Sequence, residues 1–453
     1  MDLERLEKAL AASRSDYTEI RLETRRTTRI VYHGRRLETV STVMDQGGIV
    51  RALVHGKGWG LSTFNSLDDL EKRVDQAYQS ARVVEARPID LAEAEFGQDE
   101  IRATLDIDFR EIPLEEKQAL AARYNEKLLG YPKVVDTQTS YADQFVTTTY
   151  VNSEGARIIE ERPQSTLYLV ATARDDGNVQ RAGDGYSTAT GHGALLDLDD
   201  LARNVGQRAT DLLSAETVVG GVYPVVCDPK LAGVFIHEAF GHLSEADFVY
   251  SNPAAQEMMV LGRRFGGEIL NVYDDGTLPG ERGTHKYDDE GVQMQRTPLI
   301  EEGLLVGRLH SRETAAALGE AVTGNARATG YRYPPIVRMT NTFVAPGSSS
   351  FEEMIADIEL GVYACDAIGG QTMLENFSFS AGHGYMIRNG QLAEMVRDVV
   401  LAGNLFTTLQ NIDAIGNDLR LSHTGMCGKG QGGLPVGTGS PHIRIQGVAM
   451  GGR

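Results

Sequence analysis

The sequence is short of cysteine, of basic residues and of long apolar runs, and each shortage excludes something. Three cysteines in 453 residues, an odd number set far apart at Cys227, Cys365 and Cys427, do not make a disulfide framework. No apolar stretch approaches the roughly 18 residues that mark a membrane span. The opening Met1-Asp-Leu-Glu-Arg-Leu-Glu-Lys8 is too charged for a signal peptide, so a cytoplasmic protein is expected. Lysine and arginine number 44 against 63 aspartates and glutamates. The formal net charge of −19, with a pI near 5.0, argues against nucleic acid or anionic membranes as partners. The plain reading of that excess is a solvated acidic surface.

What is abundant is glycine, 50 residues, which points to many turns and close backbone approaches. The length exceeds what one core usually organises, and two domains are expected, residues 1–214 and 215–453. Residues 2–12 read as a short helix. From Thr18 to Phe64, runs rich in Val, Ile, Thr and Tyr are separated by His33-Gly34, Gly47-Gly48 and Gly56-Lys-Gly58, the pattern of an antiparallel meander. Ser66-Leu-Asp-Asp69 opens a helix to about Val84. Residues 86–111 read as a connecting segment, and a helix follows over residues 114–129. Alternating strands run through residues 134–173, turned at Asn152-Ser-Glu-Gly155. The first unit is therefore α+β with an antiparallel or mixed sheet. The glycines of residues 176–193 follow neither a P-loop order nor a strand-led G-x-G-x-x-G, so a flexible surface or interface loop is expected there. A helix over residues 198–213 precedes the second unit. Tyr331-Arg-Tyr-Pro-Pro335 cannot continue a helix or sit in a central strand, and shapes either a binding wall or a turn.

The chemistry gathers at His237-Glu-Ala-Phe-Gly-His242. Two imidazoles that hold a cation, and a carboxylate that takes a proton from water, are the parts a zinc peptidase uses. In H-E-x-x-H the histidines share one helical face, but an interval of five places His242 about 140° around the axis from His237. A regular helix would splay the rings. A π-type wide turn or a break, for which Gly241 is well placed, would let them converge. The alternative is a helix whose last turn merely contains two histidines, one welcome near its C-terminus. Asp228-Pro229 is an N-cap followed by proline at the first helical position, so helix is expected over residues 230–242. A third ligand is needed, and Cys427 is the outstanding candidate. Glycines flank it in Gly425-Met-Cys-Gly-Lys-Gly-Gln-Gly-Gly433, and Lys429 could favour its thiolate. The other reading of Cys427 is a small buried hydrophobe. Cys227 belongs in a strand. Glu245 and Asp247 either orient a ligand histidine or are surface charges, and stand outside the catalytic set.

These motifs, with Asp274-Asp-Gly-Thr277, Tyr287-Asp-Asp-Glu-Gly291, Arg338-Met-Thr-Asn-Thr342 and Pro435-Val-Gly437, resemble the TldD/PmbA family of metallopeptidases over most of residues 215–451 and more loosely before them. The intact H-E-x-x-x-H resembles the TldD, catalytic, branch. The resemblance implies Zn2+ held by His237, His242 and Cys427, with Glu238 activating water. It implies a β-rich C-terminal domain carrying the motif helix, and a dimer enclosing the metal, either a homodimer or a heterodimer with a PmbA-like subunit. An enclosed site would favour unfolded or flexible peptides, gripped through the main chain. The competing function is a peptide-binding scaffold subunit whose zinc is structural, which a three-ligand site with an open position disfavours.

Overall fold

The computed structural model describes residues 2–84, 88–373 and 375–451. The first half is a long-stranded sheet backed by helices. Strands β1 (Tyr17–His33), β2 (Arg36–Val54) and β3 (Gly58–Phe64) form the expected meander, turned at Gly34 and Gly56, both in the left-handed region. Strands β4 (Gln98–Ile101), β5 (Val134–Asn152), β6 (Arg157–Asp175) and β7 (Asn178–Thr188) complete seven strands, with β1 against β5 and β7 on β6. The β4–β6 pair is parallel, so the sheet is mixed. Helices α1 (Asp2–Ala11) and α2 (Leu70–Val83) bury Leu6, Leu70, Val74 and Ala77 on this sheet near Ile20 and Val50, while α3 (Leu114–Leu129) and α4 (Asp199–Asp211) build a second core around Tyr124, Tyr141 and Leu167.

Three expectations are corrected here. Gly47-Gly48 is no break: both lie inside β2, where the rings of Tyr331 and Phe64 press on the strand so closely that an added Cβ would come within 2.3 and 2.2 Å. Residues 86–111 are not wholly a connection, since they contain β4, although residues 85–87 lie outside the described residues. Residues 176–193 are largely strand rather than loop. Gly185 sits opposite Tyr168, whose ring would lie 2.6 Å from a Cβ, so glycine is there for close cross-strand packing.

The second half is β-rich. After β8 (Glu216–Thr217), strand β9 (Gly221–Cys227) pairs with Leu360–Met373 and Ile443–Gly451. Strands Val400–Asn404 and Asn376–Arg388 carry the pairing back to Leu360–Met373, closing a barrel. Helix α5 (Pro229–Ile236) starts as its sequence requires: Asp228 Oδ1 accepts from Leu231 N at 2.7 Å and Pro229 holds the first turn. Its Phe235 packs edge-on to Phe377 and Phe379 of the barrel, 5.3 and 5.8 Å between centroids. Its other side meets strand Gly437–Ser440 of a six-stranded sheet, and at Gly233 a Cβ would lie 2.9 Å from Gly439 N. Wedged between barrel and sheet, α5 delivers its C-terminus to a fixed place. The α+β class holds for the whole chain.

The halves are joined by buried charge. Asp289 pairs with Arg162 at 2.9 Å and Arg21 at 3.3 Å, and Glu290 with Arg51 at 2.8 Å, all from the first sheet. The Tyr287-Asp-Asp-Glu-Gly291 motif is thus a structural joint between the halves.

Candidate metal centre

Helix α5 does not run on regularly to His242. It gives way to a π-helical turn, His237–Gly241, and then to a 3₁₀ turn, His242–Ser244. The extra residue of the wide turn absorbs the five-residue interval, and the two rings lie 5.2 Å apart at 78° instead of facing apart. Gly241 is needed for this, because a Cβ there would lie 2.1 Å from Met339 Sδ in the core.

Cys427 arrives from a small hairpin, Met426–Gly428 paired with Gly433–Pro435, whose turn uses Gly430 and Gly432 at positive φ. Its Sγ stands 3.3 Å from His242 Nε2. The ligand atoms of His237, His242 and Cys427 all lie within 4.8 Å of one another, a separation that one metal ion can bridge. The structure therefore brings the three together, with Glu238 beside them, its Oε2 3.9 Å from His242 Nε2.

The electrostatics differ along the site. Burial, aided by His242 and Arg338, pushes His237 down to about 3, so its ring is neutral and has a lone pair to give. Its buried Nδ1 has no hydrogen-bond partner, a costly vacancy in an all-protein site and a natural one beside a cation. Burial opposes charge on His242 as well, but hydrogen bonds to Cys427 and Glu245 outweigh it and raise His242 to about 10. Burial also raises the Glu238 carboxyl, with Glu245 adding to the shift and His242 opposing it. That places a proton acceptor of increased basicity next to the ligand set.

Around these residues stands a support that sequence reasoning left open. Glu245, 1% exposed, accepts from His242 Nδ1 at 2.9 Å, which fixes the ring and leaves Nε2 toward Cys427. Lys429 is engaged by acids. Its Nζ reaches Asp247 at 2.6 Å, Glu245 at 3.0 Å and the Val337 carbonyl at 2.9 Å, clamping the hairpin to the segment after the motif. The signal available in the sequence was Glu245 three positions after His242, but only the 3₁₀ turn makes that spacing meaningful. Arg338, fully buried, donates to the Cys427 carbonyl. Asp274 accepts from Thr340, Thr342 and Asn325, tying the strands beneath. Tyr331-Arg-Tyr-Pro-Pro335 braces the same hairpin, for Gln431 Nε2 donates to the Pro334 carbonyl at 2.8 Å while the Tyr331 hydroxyl meets Asp45 of β2.

Comparison with known proteins places the chain in a family. Residues 220–452 match the PmbA/TldA metallopeptidase C-terminal domain, residues 107–213 the central domain and residues 18–81 domain 1. A metalloprotease of Synechocystis sp. is 44% identical over 97% of this chain and 96% of its own length. The zinc metalloprotease TldD homolog of Saccharolobus solfataricus is 30% identical over 91% of each. Crystal structures share the fold: a Thermotoga maritima protein with TM-score 0.82, 22% identity and 100% of both chains covered, and TldE from Thermococcus kodakarensis with TM-score 0.77, 18% identity and 99% of each. The sequence motifs, the fold and these matches agree, and the chain belongs to the PmbA/TldD family of metallopeptidases.

Proposed function

We propose that this chain is a zinc-dependent peptidase of the TldD branch, with zinc held by His237, His242 and Cys427 and with Glu238 as general base. The observation that carries the proposal is the convergence of three ligand atoms within 4.8 Å on a widened turn, one of them from a ring whose buried Nδ1 is orphaned, beside a carboxylate of raised proton affinity. The donor set of two nitrogens and one sulfur suits zinc, and the Saccharolobus relative, named a zinc metalloprotease, supports that choice. Bound there, zinc would supply the positive charge that acidifies water and stabilises the oxyanion of the attacked carbonyl. Glu238 takes the proton from the attacking water and returns it to the leaving amine. Glu245 holds the His242 ring in one orientation throughout.

Glu238 and His242 reach solvent through 33% and 26% of their side chains, whereas His237 and Cys427 are buried, so a substrate meets the site along one side. We assign residues 215–453 as the catalytic domain and residues 1–214 as the domain governing access and subunit contact. The working unit is a homodimer or a heterodimer with a PmbA-like subunit, and the location is cytoplasmic. Among the described residues no helix is long and apolar enough to cross a membrane. The substrates are unfolded or flexible peptides. The test is digestion of one protein in its folded and unfolded states. Cleavage of the unfolded form, resistance of the folded form and arrest by a zinc chelator are expected. Folded substrate cut faster than it opens would overturn the enclosed site, and chelator-insensitive cleavage would overturn the zinc assignment.

A further inference from the structure

The hairpin that presents Cys427 has a second face. Side chains alternate along a strand, so while Cys427 turns to His242, Met426 turns the other way, and its Sδ lies 3.4 Å from Arg282 Nη2. That face closes a cavity of about 770 Å³ against the first sheet, a volume within the range of roughly 300–1,000 Å³ typical of small-ligand sites. None of the proposed metal ligands lines it.

Most of the charge around the cavity is neutralised on the spot. Arg162 pairs with Glu160 and Asp289, Arg25 with Glu23, and Arg102 with Glu161, at 2.6 to 3.2 Å. Arg327 and Arg282 have no such pair among the described residues, but Arg327 donates to the Met339 and Pro435 carbonyls, and Arg282 is left less satisfied. It is 6% exposed, and only its Nη1 has a short bond, 3.0 Å to the Gly425 carbonyl. Its Nη2 lies 3.4 Å from Gln164 Oε1, and its Nε has no partner. Among the described residues no carboxylate lies within ion-pairing distance of it. Burial holds its pKa down to about 10. Leaving a buried guanidinium without a counter-charge is strongly unfavourable, and in a chain of net charge −19 counter-charges are plentiful.

We propose that this cavity is a binding site for a carboxylate borne by a peptide, with Arg282 as its anchor. The proposal rests on the peptidase reading for the identity of the ligand and deepens it. A carboxylate fits better than a phosphate, because the cavity already holds Glu160, Glu161, Glu281 and Asp289, which repel a dianion. A peptide fits better than a small acid, because among the described residues Gly433–Pro435 pairs with Met426–Gly428 alone, and although Pro435 has no N–H and gives its carbonyl to Arg327, the edge at Gly433 and Leu434 lines the cavity where an extended chain could lie. The site then lies one hairpin away from the metal ligands, and its occupation bears on the same hairpin that carries Cys427.

The carboxylate could be the peptide's C-terminus or an acidic side chain, and three probes separate them: N-acetyl-tetra-alanine as the free acid, the same peptide as the carboxamide, and a carboxamide with one alanine replaced by glutamate. Each is titrated calorimetrically into the full-length protein, with mass spectrometry confirming that it stays intact. One of the two carboxylate probes should bind roughly tenfold or more tighter than the neutral amide, the scale of one charged hydrogen bond left unmade. A tighter free acid identifies the C-terminus, and a tighter glutamate peptide identifies the side chain. Arg282→Gln should erase the preference and Arg282→Lys should retain part of it. Equal binding of all three probes by the wild type, no binding of any, or a preference undiminished in a folded Arg282→Gln would overturn the proposal. Because the wild-type comparison needs no variant, misfolding of Arg282→Gln would not rescue it. A preference that persists in a protein cleaving no peptide would remove the peptidase reading and leave this site. Cleavage without preference would do the reverse.

Discussion

His237 and His242 are prepared in opposite ways, and that difference defines the roles of their neighbours. His237 is stripped of its proton by burial, while His242 is steered by Glu245 on one nitrogen and faces Cys427 with the other. A cation held at their junction would take the place of the His242 Nε2–Cys427 hydrogen bond. On the proposed ligand set, removing Cys427 would delete a ligand, whereas altering Glu245 would only loosen one. Metal titration should therefore show Cys427→Ala losing most of its zinc, and Glu245→Gln weakened by about 10- to 100-fold, the usual cost of disturbing the partner of a ligand histidine. Unchanged zinc in Cys427→Ala would show that the third ligand lies elsewhere. At this scale the sequence pointed to His237, Glu238, His242 and Cys427, and the structure brings these four side chains together. The acids that engage Lys429, Asp247 and Glu245, were not legible, because they reach it from another segment.

The widened turn is the element on which the site depends. An interval of five residues made it predictable, since only a π turn or a break brings both rings to one side. Gly241→Ala would drive a Cβ into Met339, and overpacking of this kind costs about 1–3 kcal/mol. Thermal unfolding and metal titration should both register the loss, and adding Met339→Ala to Gly241→Ala should restore part of the metal affinity. A single Gly241→Ala variant with wild-type affinity would mean that the turn does not position the rings. Strand Asn376–Arg388 supplies a pH prediction. Burial lowers His383 to about 4, with Arg208 and Lys230 adding to the effect and Asp366 opposing it. The unfolded chain, with an ordinary histidine near 6.5, binds more protons between those values. The cost of an uncharged, buried His383 is therefore absent above pH 6.5 and grows as pH falls toward 4, to about 3 kcal/mol at most. His383→Gln escapes it, so in urea titrations the variant should gain on the wild type as pH drops from 7 to 4, and a constant difference would contradict the shift. Strand lengths were less readable. Gly47, Gly48 and Gly185 look like breaks in sequence, yet each makes room for an aromatic ring from another segment, which only the tertiary structure supplies.

At the scale of the whole molecule, a sheet of long strands and a barrel with an attached sheet are held in register by Asp289 and Glu290 against Arg21, Arg51 and Arg162. The α+β class and the early meander were legible from alternation and turn residues. Barrel closure was not, because pairing between Leu360–Met373 and β9, or between Val400–Asn404 and Ile443–Gly451, depends on contacts far apart in sequence. This frame sets α5 between barrel and sheet and leaves Glu238 and His242 half-buried on the open side of a cluster whose His237 and Cys427 are buried, which is the basis for assigning Glu238 the proton transfer. The most direct test of the account is a paired measurement on full-length wild type and Glu238→Gln: zinc per chain, and hydrolysis of an unstructured polypeptide. The account predicts one zinc in each, with cleavage by the wild type and a loss of at least about 100-fold in the variant, the lower bound of a general base's contribution. Equal cleavage by the two proteins, or no zinc in the wild type, would contradict it.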